Sequence, residues 1–148
     1  MIAIDPGPQK SAVVKLYQGK IQHAEIMSNE LVIIFLQNHA WEPLAIEMIK
    51  SYGMPVGAET FETCLWIGRF IQCHSAQHRL LGRKEVVSWI CSSAKAKDSN
   101  VRQALIDRYG EPGTKKNPGH LYGISKDLWS ALAVALTALE TRGTWASR

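Results

Sequence analysis

The chain has 148 residues, 46% of them hydrophobic and 20% charged, a length and balance that allow one continuous core and exclude a disordered chain. The net charge of +4 and the pI near 9.1 permit an anionic partner without identifying it. Three cysteines in no metal or redox spacing exclude a disulfide framework, and no apolar run is long enough to span a membrane.

Cys64, Cys73 and Cys91 read as free thiols, and with no leader-like segment a cytoplasmic location is the expectation. Met1 to Ile4 is apolar on both faces, a central strand that reaches Asp5 and stops at Pro6-Gly7-Pro8. Strands over Ser11–Tyr17 and Lys20–Ile26 flank Gln18-Gly19, a two-residue connection that makes them an antiparallel hairpin. Ser28 is placed to cap a helix from Asn29 to about Asn38, with Leu31, Ile34 and Phe35 inward. Leu44 to Glu47 is a fourth strand, again apolar up to its acidic end, followed by a loop carrying Ser51, Gly53, Pro55 and Gly57. A long helix is expected from about Ala58 to His78, its apolar stripe including Phe61, Cys64, Leu65, Gly68 and Ile71. Val86–Ile90 reads as the fifth strand. Asp98 or Ser99 then caps a helix to Tyr109, closed by Gly110, and Ser125 caps a last helix to about Thr141. The order implies one α/β domain over residues 1–148: a mixed five-stranded sheet, three antiparallel strands then parallel ones, with helices on both faces.

Two apolar strands each end in an acid, Asp5 and Glu47. An unpaired carboxylate is costly inside a sheet, so both belong at its edge. On adjacent parallel strands they emerge at the carboxyl end, where ligands collect. Asp127, at the start of the last helix, is a third candidate. Three converging acids without basic partners call for a hard divalent cation such as Mg²⁺. Each alone has a plainer role: Asp5 as a turn residue, Glu47 as a partner for Lys50, Asp127 at the positive end of its helix.

IAIDPG followed by a hairpin, LAIEMI at a strand end, VVSWICSSAKAKDSNVRQALIDRYG and KDLWSALAVALTA, in that order, resemble the RuvC family of Holliday junction resolvases and its phage relatives. The resemblance covers nearly the whole chain. It implies a ribonuclease-H-like fold and a homodimer that nicks opposing strands of branched DNA, a four-way junction. It also implies two Mg²⁺ or Mn²⁺ ions per active site, with Asp5, Glu47 and Asp127 as ligands. The chemistry implied is in-line attack of water on a backbone phosphodiester, with no protein nucleophile.

One position departs from the family pattern. Three residues after Asp127 the family usually carries another carboxylate, and this chain has Ser130, a poor metal ligand. Ser130 is kept as a site candidate, and His120 in the preceding loop as a group for proton transfer near neutral pH. In the corresponding loop of resolvase relatives an aromatic or apolar side chain enters the junction, which points to Tyr52 and Met54 here, with coverage of the loop's own base as the plainer reading. Lys50, Lys95, Lys97, Lys115, Lys116 and Lys126 are the candidates for phosphate contacts. His74 and His78 have a metal-compatible spacing but no third ligand. Trp66 and Phe70, read as the outer side of the long helix, are the candidates for a dimer contact.

Three readings stand at this level: a junction-cutting DNA endonuclease, a relative that processes structured RNA, and a junction-binding protein whose catalysis Ser130 has impaired. An actin-like phosphotransferase is excluded because the chain has no room for a second nucleotide-binding lobe.

Overall fold

The computed structural model describes residues 1–51, 53, 55–141 and 143–146. Its elements are β1 (Ile2–Asp5), β2 (Lys10–Tyr17), β3 (Lys20–Ser28), α1 (Asn29–Asn38), β4 (Leu44–Met48), α2 (Ala58–Cys73), β5 (His78–Gly82), α3 (Arg83–Cys91), α4 (Asp98–Tyr109) and α5 (Leu128–Glu140). The strands form one sheet in the order β3-β2-β1-β4-β5. β1 pairs antiparallel with β2 and parallel with β4, and β4 pairs parallel with β5. The β2–β3 hairpin turns through Gln18 and Gly19, both at positive φ, the backbone a tight two-residue hairpin requires.

Side-chain alternation splits the core into two layers. Ile2 and Ile4 of β1, with Leu44 and Ile46 of β4, face Val32, Leu36, Ile67 and Phe70 from α1 and α2. Ala3 and Ala45 face the other way, toward α3, α4 and above all α5. From Leu128 to Ala138 every residue of α5 is buried except the half-buried Ser130. Its Ala131, Ala133, Ala135 and Ala138 let the helix approach the small side chains of β1 and β4 closely.

The mixed sheet, three antiparallel strands then parallel ones, is as the sequence implied, but the fifth strand is not where it was expected. Val86–Ile90 lies within α3, and His78–Gly82 is the strand. The long helix stops at Cys73 because His74 turns to extended backbone, its ring bonding the carbonyls of Glu42 and Leu36. β5 carries a buried Arg79, satisfied by Glu85 and by the Ala138 and Thr141 carbonyls at the end of α5. A cation there also meets the negative end of the helix dipole.

The helix faces differ as well. In α1 the inward residues are Asn29, Val32 and Leu36, whereas Leu31 and Ile34 are exposed. In α2 they are Thr63, Ile67 and Phe70, whereas Phe61 and Leu65 are exposed. Phe70 is therefore a core residue rather than a surface one. Ser125 does not open the last helix either: its carbonyl accepts from the Leu128 N–H, and Asp127 is the residue that precedes the helix. Likewise Lys97, not Asp98 or Ser99, stands at the cap of α4, where its N–H donates to Asn100 Oδ1 at 2.8 Å. Among the described residues no helix is long and apolar enough to cross a membrane.

Candidate active site

Because Ile4 pairs with Ile46, the next residues, Asp5 and Glu47, stand side by side at the carboxyl ends of adjacent parallel strands. Alternation turns both side chains toward the α5 face, the side of Ala3 and Ala45. Burial, then the negative charges of Glu47 and Asp127, push the Asp5 carboxyl up to about 7, against the opposing effects of Arg83 and a hydrogen bond from Ser130. Burial also raises Glu47, against the attraction and hydrogen bond of Arg83. Both acids are thus costly to ionise where they stand, Asp5 in part because of the negative charge of Glu47.

Arg83, the first residue of α3, is the cation already there. Its Nη1 donates to Ser130 Oγ at 3.3 Å and lies 3.5 Å from Glu47 Oε2, while its Nη2 pairs with Asp98. Ser130 thus accepts from Arg83. Arg83, Asp98, Ser99, Arg102, Lys126, Asp127 and Ser130 line a cleft floored by Trp129, with the Arg102 guanidinium 5.4 Å from the Trp129 ring centre. Neither Arg83 nor Asp98 stood out as a site residue in the sequence. The missing signal was the position of β5: with that strand placed at His78–Gly82, Arg83 follows directly from a strand beside β4.

Asp127 is exposed, and although its charge is felt at Asp5, it is not gathered into a ligand cluster with the pair. Among the described residues no three His, Cys, Asp or Glu side chains are grouped to hold a metal ion. The expected triad is thus a pair with an outlying third acid. The reason is local: Lys126 takes positive φ, and Asp127 sits before the helix, turned to solvent. Asp5 and Glu47 suit one hard divalent cation, since Mg²⁺ is commonly held by one or two carboxylates plus water and phosphate.

The remaining candidates divide. The Lys50 side chain lies across Gly82, next to Arg83. Lys126 lines the cleft, and Lys97 adjoins Asp98, with exposed Lys95 just before it. His120 is elsewhere: it lines a small cavity with Leu16, Gly19, Ile21 and Tyr109, at the hairpin-turn end of the sheet opposite Asp5. That separation removes it from proton transfer at the acids. Lys115 and Lys116 are exposed in the loop between Tyr109 and His120. Tyr52 and Met54 lie outside the described residues.

No family model matches this chain, and no curated protein matches it. Solved structures do. Thermus thermophilus RuvC, and the same protein in complex with a Holliday junction substrate, each superpose with a TM-score of 0.63 at 18% identity. The match covers 93% of this chain and 92% of theirs. The fold is therefore ribonuclease-H-like and shared with RuvC over nearly its whole length.

Proposed function

We propose that this protein is a divalent-cation-dependent endonuclease that resolves four-way DNA junctions. The observation that carries the reading is the Asp5–Glu47 pair, half-buried at the carboxyl ends of adjacent strands and electrostatically strained without a cation. It is supported by a fold shared with a protein solved in complex with a Holliday junction substrate.

In this reading Asp5 and Glu47 hold Mg²⁺ or Mn²⁺, with Asp127 adding negative charge from the rim. The bound cation supplies Lewis acidity toward the scissile phosphate and a more acidic water. A water oxygen would form the new bond to phosphorus and give up a proton, the opposite ester bond would break, and the leaving oxygen would take up a proton. Lys50, Arg102 and Lys126 lie around the acids and, with Lys97 next to Asp98 in the chain, contact backbone phosphates, giving affinity without sequence preference. The solvent sides of α1 and α2 carry exposed Leu31, Ile34, Phe61 and Leu65, which we assign to a homodimer that pairs the two nicks.

The test is incubation with Mg²⁺ and a labelled immobile four-way junction, beside a linear duplex and a structured RNA. Symmetric nicks in the junction alone are expected. Preferential cutting of the RNA would redirect the substrate. Tight junction binding with no nicks, even in Mn²⁺, would favour the impaired binder that Ser130 suggests.

A further inference from the structure

We infer that this active site takes one divalent cation per chain, and that the Arg83 guanidinium holds the place of a second. The inference deepens the nuclease reading and rests on it.

Two divalent ions bring four positive charges, and Asp5, Glu47 and the outlying Asp127 offset at most three, while position 130 between them carries a neutral hydroxyl. Opposite that hydroxyl, 3.3 Å away, is a guanidinium that also reaches Glu47. Because Asp98 pairs with the guanidinium, the neutral hydroxyl and Arg83 together leave the site more positive than a carboxylate at position 130 would, which opposes a second divalent ion. A second ion would enter a position with its ligand missing and a fixed cation beside it.

Geometry supports the substitution. Arg83 Nη1 reaches both Ser130 Oγ and Glu47 Oε2, so the guanidinium, Ser130 and Glu47 form one connected group beside Asp5. Arg83 occupies the first turn of α3, where the helix dipole disfavours a cation. It is kept there by Glu47 and Asp98. A planar fork suits the second role, since guanidinium binds phosphate oxygens through paired N–H groups and never loses its charge. The described residues group no three metal-ligating side chains, and two carboxylates suffice for one Mg²⁺ completed by water and phosphate. Arg83 is on this account a catalytic residue that touches the scissile phosphate, with Ser130 as its positioning residue.

The test counts ions. Titration calorimetry with Mn²⁺ alone on the full chain is expected to give one equivalent, lost in Asp5→Asn. The double variant Arg83→Ala/Ser130→Asp, which restores a carboxylate and removes the cation, is expected to bind two. It should also regain at least a tenth of the junction nicking that Arg83→Ala alone loses. Two Mn²⁺ in the unaltered chain would overturn the inference and leave the nuclease reading standing. A double variant that folds, shown by an unchanged circular dichroism spectrum, yet binds one ion would remove Arg83 from the second position. No Mn²⁺ binding sensitive to Asp5 would instead sink the nuclease reading, and this inference with it.

Discussion

The two ends of the central sheet handle charge in opposite ways. At the end where β1 begins, Glu42 meets Lys15 at 2.5 Å and the Met1 amine at 3.1 Å. Burial alone would raise its pKa, yet the hydrogen bonds and charges of those partners hold it below its usual value. On the same side Arg79, almost fully buried, is satisfied by Glu85 and the end of α5. At the end where β1 stops, Asp5 and Glu47 lie beside each other with Arg83 as their nearest cation, and both are raised. One end spends its charges on stability. The other keeps them partly uncompensated, as the proposed cation-dependent nuclease would require.

The largest effect that tests this contrast is on cleavage. Asp5→Asn or Glu47→Gln is expected to lower junction nicking about a thousandfold or more, on the order of 4 kcal/mol of barrier. Junction affinity in a gel-shift assay should stay nearly constant, because the lysines and arginines around the cleft carry it. A variant that nicks at the unaltered rate would place the chemistry elsewhere.

The same substitution should act in the opposite direction on stability. A carboxyl raised from 3.8 to about 7 binds its proton more tightly in the folded state than in the unfolded one. Its contribution to stability is full below about pH 4 and is lost as pH rises through about 7. Asp5→Asn removes that loss. Its melting temperature should match the unaltered protein near pH 4 and exceed it at pH 8 by several degrees, reflecting about 2–4 kcal/mol. Saturating Mg²⁺ should raise the unaltered protein's melting temperature at pH 8 and leave Asp5→Asn unmoved. Equal melting temperatures at pH 8 without Mg²⁺ would mean that Asp5 is not strained.

A smaller effect separates the proposed dimer from the chemistry. Phe61→Glu and Leu65→Glu lie on the solvent side of α2, where neither replaces a core residue. Sedimentation at micromolar concentration should show a shift to monomer with little loss of melting temperature. The expected product is then single nicks in place of paired ones. A monomeric unaltered protein would remove the interface.

The same contrast explains what could be read from the sequence. β1, the hairpin and β4 are legible because apolar runs end at breakers, and their terminal acids follow from the cost of burying a carboxylate. α3 was hidden by Val86, Val87 and Ile90, β-branched residues that suggest a strand although Val86 and Val87 pack as one turn of helix. β5 was hidden by Arg79, whose partners at Ala138 and Thr141 lie some sixty residues away. In α1 and α2 the periodicity identified helices, but both faces carry apolar residues, with Leu31, Ile34, Phe61 and Leu65 outward and Leu36, Ile67 and Phe70 inward. Arg83 could not be recognised before β5 was placed, because its role depends on where that strand stops.

The smallest expected effect belongs to the stable end. Glu42→Gln keeps the side chain's size and hydrogen-bonding capacity while removing the charge that Lys15 faces. Since the Glu42 pKa is lowered by folding, its contribution is present above the unfolded value and lost as pH falls through the lower folded one. The pair is partly solvated, so the loss at pH 7 should be below about 1 kcal/mol, a shift of a few degrees at most. It should vanish in acid and shrink in high salt, and junction nicking should not change. That pattern is the mirror image of Asp5→Asn, which gains stability toward alkaline pH and loses activity. If Glu42→Gln instead impaired nicking as much as it impaired stability, the two ends would be coupled through β1, and the division of labour between them would fail.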